Sequence, residues 1–416
     1  MIDLADALAL VESTAAPLPP RRQRLLDACG LALAEPIVAD VDSPPWDRAM
    51  MDGFALKSED VLAAAGAAVE LDVVVDLAAG DVTTLTISPG ACARIMTGAP
   101  IPAGADAVIP VECALDGTAA AHAGSRARLR DDKFRPGQHI ARQGTAFGAG
   151  AEVLHAGSML GAAEIGLAAE AGATHVVAAA RPRVAILSTG SELVPPEAQP
   201  AFGQTRNSNG PMLTAAVQIL GAEPIPLGLV ADRPEAIRAA VAQGLAADVL
   251  LLSGGVSAGD LDLVPDVFRA CGIEKVFHKV RHKPGKPVWF GVYRRAASTP
   301  TLVFGLPGNP ASSLVCFELF VRPALSILAG RPRSDWHLPR ARARLTAPAK
   351  AAADRPLYLP CRLAGPPDAL QATPLPWTGS SDLRGFANAN GYIALPADGT
   401  LHEPGTEVDI VLRSAR

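Results

Sequence analysis

Asp248-Val249-Leu250-Leu251-Leu252-Ser253-Gly254-Gly255-Val256-Ser257-Ala258-Gly259-Asp260-Leu261-Asp262 is the stretch that decides the fold. Its four consecutive large apolar residues read as a strand covered on both faces, and the Ser-Gly-Gly that follows ends that strand abruptly. Similar units lie on either side. Val184-Ala-Ile-Leu-Ser188 is a buried-type strand, and Asn209-Gly-Pro opens a helix with Met212, Leu213, Ala216, Val217 and Leu220 on one face before Gly221 ends it. Pro224 to Val230 reads as a strand, Asp232-Arg-Pro-Glu235 has capping-box spacing, and another helix runs to Gly272. Thr301-Leu-Val-Phe304 is a further strand, after which Asn309-Pro310 caps a long helix that reaches Gly330 and bends at Pro323. Strands alternating with helices imply a mainly parallel sheet covered on both faces, an α/β domain over residues 181–330.

The flanks differ in texture. Residues 1–40 read as helical from Leu4, Leu8, Val11 and then Leu25, Leu26 and Leu33, and helical spacing returns at 158–170. Between them, Leu71-Asp-Val-Val-Val, Thr83-Thr-Leu-Thr-Ile87, Ala105 to Val111 and Ala127-Arg-Leu-Arg130 are strand candidates divided by Gly or Pro. The reading is a split domain, 1–45 with 145–180, into which a β domain at 46–144 is inserted. After 331 the helix signal stops. Arg342-Ala-Arg-Leu345, Leu357-Tyr-Leu359, Tyr392 to Leu395 and Val408 to Leu412 mark a β-rich C-terminal domain, 331–416.

Composition bounds the function. With 416 residues, 49% apolar and 19% charged, the chain has enough apolar surface for about three cores and is not chiefly disordered. A net charge of −5 gives no basic field for a polyanion. The N-terminus has no basic segment before an apolar stretch, and no run of about 18 uncharged apolar residues occurs, so neither secretion nor membrane spanning is expected. Six dispersed cysteines with no C-x-x-C pair read as small buried apolar residues in a reducing cytoplasm. Lysine supplies only seven of the 37 basic residues, yet four of the seven fall within 275–286.

Ligands of open α/β sheets bind beyond the carboxyl ends of the strands, so the loops leaving them carry the argument. These are Ser188-Thr189-Gly190-Ser191-Glu192, the Ser253-Gly254-Gly255 to Asp262 loop, and Gly305-Leu306-Pro307-Gly308-Asn309-Pro310. Each combines small residues with hydroxyl, amide or carboxylate groups at a helix entrance, a setting for an anion. Asp260 and Asp262 add hard oxygen ligands suited to Mg²⁺ on a phosphate. No Walker motif or complete dinucleotide fingerprint is present. In Lys283-Pro284-Gly285-Lys286 two ammonium groups flank a turn and can converge on a small oxyanion. His278 and His282 have i, i+4 spacing, but Pro284 and the missing Glu make helical zinc a poor reading. Asp52-Gly53, behind Pro44-Pro45-Trp46, reads as a turn with an exposed carboxylate.

In order along the chain, Pro44-Pro45 with Met51-Asp52-Gly53-Phe54-Ala55, Arg94-Ile-Met-Thr97-Gly-Ala-Pro100, Ser188-Thr-Gly-Ser-Glu192-Leu193, Ser253-Gly-Gly-Val-Ser257 with Gly259-Asp260-Leu-Asp262, Lys283-Pro-Gly-Lys286-Pro287 and Gly305-Leu-Pro-Gly-Asn-Pro310 resemble the molybdopterin molybdenumtransferases, relatives of the E domain of gephyrin. The resemblance covers nearly the whole chain. It implies four parts: a split elongated domain, an inserted β domain, a three-layer molybdopterin-binding α/β domain and a C-terminal β-barrel-like domain. It implies insertion of molybdate into adenylylated molybdopterin with Mg²⁺-dependent release of AMP, in a cytoplasmic homodimer that meets molybdopterin adenylyltransferase and acceptor molybdoenzymes transiently. On matching positions, Glu192, Asp232, Asp260 and Asp262 resemble the acidic set around metal and phosphate, with Glu192, Asp260 and Asp262 as metal ligands. Lys279, Lys283 and Lys286 resemble the basic set, Pro307 and Pro310 the pocket floor, and Arg355 and Ser380 the positions facing molybdate. Ser188, Thr189, Gly190, Ser253, Gly254 and Gly255 are the expected substrate loops, and Asp52 and Thr97 are expected to approach the other subunit. Two departures stand out: Ala49 replaces a Ser before Met-Asp-Gly, and Gly144-Thr145-Ala146 replaces Gly-Glu-Asp. They leave a non-catalytic molybdopterin-binding scaffold open as an alternative.

Overall fold

The computed structural model describes residues 1–256, 263–295 and 299–413. Its centre is a six-stranded sheet in the order Glu223–Val230, Arg183–Thr189, Val249–Ser253, Thr301–Leu306, Trp289–Tyr293 and Glu274–His278. The first four strands are parallel. The last two are antiparallel. Because side chains alternate across a strand, each strand feeds two cores. Val184, Ile186, Val249 and Leu251 face a layer containing Leu213, Val217, Val315 and Phe320. Ala185, Leu187, Leu250 and Leu252 face Ile237, Val241, Val264 and Phe268. Three layers result, with the helices Asn209–Ile219 and Pro234–Gly244 on opposite faces of the sheet.

Sequence periodicity does not show the antiparallel edge. Glu274–His278 carries polar residues at its solvent edge, and the prolines that follow it read as loop. The long helix is also more articulated than a simple bend at Pro323. An α-helical start, Pro310–Cys316, passes into a π-helical turn, Phe317–Val321, and returns to α-helix at Arg322–Leu328. The π turn sits just ahead of the proline, where the missing N–H breaks the regular ladder. Pro310–Leu328 is apolar and long enough to cross a membrane, but 83% of it is buried inside the protein. Its charged pair, Glu318 and Arg322, is held at 2.6 Å within the fold. This is a core helix.

At the N-terminus only Leu4–Thr14 is α-helical, and its Ala7 and Val11 pack into the α/β core. Leu18 N–H also donates to Leu328 O at 2.9 Å, so this helix belongs with the α/β layer rather than with the split domain. The helical reading of the remainder of 1–40 is corrected. Leu25 and Leu26 occupy a 3₁₀ turn, and Leu33 lies in extended chain. The split domain itself is built by antiparallel pairing of Arg21–Arg24 with His175–Ala178 and of Ile37–Val38 with Glu152–Leu154. Helix Ala162–Glu170 covers their shared core of Leu25, Leu31, Leu33 and Leu160.

The insert is a five-stranded sheet, Ala107–Pro110, Gly53–Leu56, Ala91–Ile95, Val69–Leu77 and Arg126–Leu129. The expected strand at Thr83 to Ile87 is irregular, with Ile87 alone fully buried from it. The C-terminal strands Arg340–Leu345, Gln371–Pro374, Leu357–Ala364, Gly391–Leu395 and Glu407–Leu412 close into a barrel. All six cysteines are free thiols, but only Cys92, Cys316 and Cys361 are buried, and Cys29 is exposed. Burial pushes the Cys92 and Cys361 thiols up to about 12, so both stay protonated.

Candidate active site

At the carboxyl ends of the parallel strands the chain opens into a cleft of about 1120 Å³, walled by the α/β domain on one side and the barrel on the other. Adjacent strands carry Ser188 and Ser253 at their carboxyl ends, where the two hydroxyls meet at 3.1 Å. The next residues diverge into it. Thr189 Oγ1 donates to Asp232 Oδ1 at 3.2 Å, which takes Asp232 away from the helix-capping role its spacing suggested. Arg233 is the N-cap instead, and Pro234 opens the helix. Glu192 also lines the cleft, and a Cβ on Gly190 would fall 2.8 Å from its carboxylate, so glycine allows that carboxylate to fold back over the loop.

Gly254 explains why the second loop begins Ser-Gly-Gly. Its φ is +100°, and a Cβ there would lie 2.2 Å from Thr189 O. Only glycine accepts both conditions. Gly254 N–H donates to Leu306 O at 3.1 Å, so the floor is tied to the third loop. In that loop Asn309 does not cap its helix with its side chain. Asn309 Nδ2 reaches across to Ser380 Oγ at 2.7 Å, and Ala311 N–H donates to Ser380 O at 3.1 Å. The barrel is held a second way, because Lys283 N–H donates to Pro356 O and Tyr358 N–H to Lys283 O, each at 2.8 Å. That two-bond ladder brings Arg355 to the lysine turn.

The cleft therefore joins Thr189, Gly190, Glu192, Asp232, Ser253, Gly254, Gly255, Lys283, Lys286, Pro307, Pro310, Arg355 and Ser380. Among these, two carboxylates stand with the loops of the parallel strands, where Arg206 lines the cleft as well, and two ammonium groups stand with the Arg355 guanidinium toward the barrel. Ser188 supports the cleft from below and is buried. Lys279 is not among the lining residues. It has a φ of +70°, with its N–H bonded to Val288 O and its carbonyl accepting from Ile2 N–H, so its backbone anchors the N-terminus. Asp260 and Asp262 lie outside the described residues.

Asp52 and Thr97 come together in the insert, outside the cleft lining. Thr97 N–H and Oγ1–H both donate to Asp52 Oδ1 at 2.7 Å. The backbone bond first, then the hydroxyl, hold this carboxyl below the ordinary aspartate range, so it remains ionised through mildly acid pH. Thr97→Val is expected to move the Asp52 midpoint upward in a carboxylate NMR titration; an unmoved midpoint would contradict the hydroxyl's share.

Several cleft residues carried no signal strong enough to single out in sequence. Asn207 Oδ1 accepts from Gly210 N–H at 3.1 Å, and Asn209 Nδ2 donates to Gly308 O at 2.7 Å. The Asn-Ser-Asn run ahead of a Gly-Pro helix start was the available clue. Trp377 lines the barrel wall and stacks edge-on against Phe386 at 5.8 Å. His282 is fully buried at the cleft and sits in a loop, and His278 ends a strand with Nε2 3.1 Å from Val256 O. The i, i+4 spacing of the two histidines thus lies on no helix.

Comparison with known proteins agrees with each part of the chain. Residues 2–172 match the MoeA N-terminal region (domain I and II), 185–326 a probable molybdopterin binding domain, and 342–412 the MoeA C-terminal region (domain IV). Molybdopterin molybdenumtransferase 2 of Mycobacterium tuberculosis is 36% identical over 397 residues, covering 93% of each chain. The molybdopterin molybdenumtransferase of Bacillus subtilis is 32% identical over 396 residues, 93% of this chain and 88% of its own. Among solved structures, the molybdopterin biosynthesis moeA protein of Pyrococcus horikoshii OT3 superposes with a TM-score of 0.75 at 28% identity, covering 99% of this chain and 100% of that one. With three family regions in order, curated relatives matched across most of their length and the four-part fold in common, the chain belongs to the molybdopterin molybdenumtransferase family.

Proposed function

We propose that the cleft inserts molybdate into adenylylated molybdopterin, releasing AMP in a Mg²⁺-dependent step and yielding molybdenum cofactor. The observation that carries this reading is the meeting of both charges in one cleft: Glu192 and Asp232 stand with the parallel-strand loops, where Arg206 also lines the cleft, and Lys283, Lys286 and Arg355 stand where the lysine turn meets the barrel. A phosphorylated pterin needs its pyrophosphate held and its dithiolene sulfurs turned toward the incoming metal oxyanion, and a cleft with carboxylates at the strand ends and basic groups at the barrel can place both. The relatives' names supply molybdopterin and molybdenum, and the adenylyl group and AMP release come from the family resemblance.

The donor set fits magnesium. Carboxylates are the donors magnesium takes, with phosphate oxygens and water completing its shell. Glu192 would hold it, joined by Asp260 and Asp262 as the resemblance implies, with Asp232 in the acidic set beside the phosphate. When bound, it supplies charge neutralisation at the pyrophosphate. The protein's own groups do the remaining work. Thr189 fixes Asp232, Gly254 opens backbone to the phosphate, and Lys283 and Lys286 hold the oxyanion with Arg355 and Ser380. The Asp52–Thr97 turn, beside exposed Trp46, Met50 and Met51, is suited to dock on a second copy of the chain.

Purified protein given adenylylated molybdopterin, Mg²⁺ and molybdate should release AMP and form active cofactor together. Tight binding without AMP would return the scaffold reading. AMP release indifferent to molybdate would point to a nucleotide hydrolase.

A further inference from the structure

Two guanidinium groups line the cleft among the described residues, Arg206 and Arg355. Arg355 meets Asp354 at 3.2 Å, whereas Arg206, among the carboxylate loops, pairs with no carboxylate among the described residues. Its place is set by backbone. Thr205–Arg206 runs parallel to Leu193–Val194, the pair that follows Glu192. Thr205 N–H donates to Glu192 O and Asn207 N–H to Val194 O, each at 2.8 Å, so rungs on both sides hold Arg206 beside the Glu192 loop.

The side chain is held along one edge. Nε donates to Ala198 O at 3.1 Å, and Nη2 lies 3.5 Å from Gln199 Oε1, both in the loop that joins the two short strands. Nε–H and one Nη2–H lie side by side on the same edge of the planar guanidinium, so the loop occupies that edge. The end-on edge, with one N–H from each terminal nitrogen, has no partner among the described residues. Two parallel N–H groups match two oxygens of a phosphate, and a guanidinium already anchored at Nε loses little freedom in taking them. The surroundings favour such a ligand. A pyrophosphate approaching Glu192 and Asp232 meets like charge, which a guanidinium beside the same loops offsets.

We propose that Arg206 is a substrate-binding residue whose two terminal nitrogens take two oxygens of the pyrophosphate of the adenylylated pterin. Molybdate is left to Lys283, Lys286 and Arg355, where the lysine turn meets the barrel. The inference rests on the molybdate-insertion reading for the identity of the phosphate ligand.

The test compares two ligands on one variant. With Mg²⁺ withheld so that no AMP leaves, Arg206→Ala should raise the dissociation constant for adenylylated molybdopterin about thirtyfold, the scale of one two-pronged charge-assisted contact. Molybdate affinity of the same variant, by equilibrium dialysis, should stay within about threefold of wild type. Arg206→Lys should recover only part of the loss, because an ammonium has no end-on pair of nitrogens. Unchanged pterin affinity, or full recovery by lysine, would overturn the proposal. So would a loss confined to molybdate, which assigns Arg206 to the other anion, or an equal loss of both ligands, which makes its role structural. Should the alanine variant fail to fold, the wild type decides: the Arg206 ¹⁵Nη resonances should shift on adding adenylylated molybdopterin and not on adding molybdate, and resonances unmoved by bound pterin overturn the inference. Wild type that binds the adenylylated pterin through Arg206 yet releases no AMP when Mg²⁺ and molybdate are supplied would overturn the insertion reading alone.

Discussion

Lys286→Ala should raise the molybdate concentration needed for half-maximal insertion about thirtyfold, while affinity for the adenylylated pterin stays within about threefold. The magnitude follows from a charge-assisted hydrogen bond of about 2 kcal/mol, and tenfold corresponds to about 1.4 kcal/mol. The asymmetry follows from position. Lys286 and Lys283 line the barrel side of the cleft with Arg355, whereas the Ser-Gly-Gly loop and the two carboxylates belong to the strand ends. Steady-state kinetics with molybdate varied, alongside equilibrium binding of the pterin, separates the two. Equal loss of both would show that Lys286 serves the whole ligand. Lys286→Arg should recover only part of the loss, since a planar fork cannot occupy the site of a compact ammonium.

Gly254→Val should be the most damaging single change in the cleft floor. The residue holds φ at +100°, and its Cβ would lie 2.2 Å from Thr189 O, with Thr189 itself fixed against Asp232. Left-handed strain costs about 1–2 kcal/mol and forced overpacking about 1–3, so a loss of about 2–5 kcal/mol is expected in denaturant unfolding, with AMP release abolished. A variant that unfolds at the wild-type midpoint and still releases AMP would show that the loop can move aside, against the rigid floor described here.

What could be read from sequence divides along physical lines. The strands at Val184 and Val249 were legible because both faces of a central parallel strand are buried, which leaves an unbroken apolar run. The edge strand Glu274–His278 was not, since one side faces solvent and its lysines read as a basic loop. The phosphate-loop glycines were legible in kind, and the structure adds the reason at Gly254. Arg355 and Ser380 had no local signal. They matter because a barrel more than 60 residues further along docks through the Lys283 ladder and the Asn309–Ser380 bond, and only the family resemblance pointed to them. Asp52 and Thr97 stand 45 residues apart, and strand register, Gly53 opposite Ile95, brings them together. Lys279 shows the converse. It belongs to the conspicuous lysine cluster, yet a left-handed backbone and pairing with Ile2 and Val288 keep it out of the cleft lining. His282, already a poor zinc candidate from its sequence, lies among a thiol, a phenyl ring and the Val280 backbone, within the field of Arg355.

The departures at Ala49 and Ala146 fall at the joint between insert and split domain. Ala49 is buried in the short pairing of Arg48–Ala49 with Ile140–Ala141, and Ala146 N–H donates to Ser43 O. Both positions are absorbed into backbone pairing at the base of the insert, and neither lines the cleft. Loss of a hydroxyl and a carboxylate there leaves the two walls intact.

The division of labour between those walls is the central claim, and molybdate affinity of the Glu192→Gln, Asp232→Asn double variant tests it most directly. Equilibrium dialysis against molybdate should return a dissociation constant within about threefold of wild type, even though AMP release is lost, because the oxyanion is held from the lysine and arginine side. A molybdate affinity that collapses together with AMP release would contradict the claim and make the cleft a single undivided site.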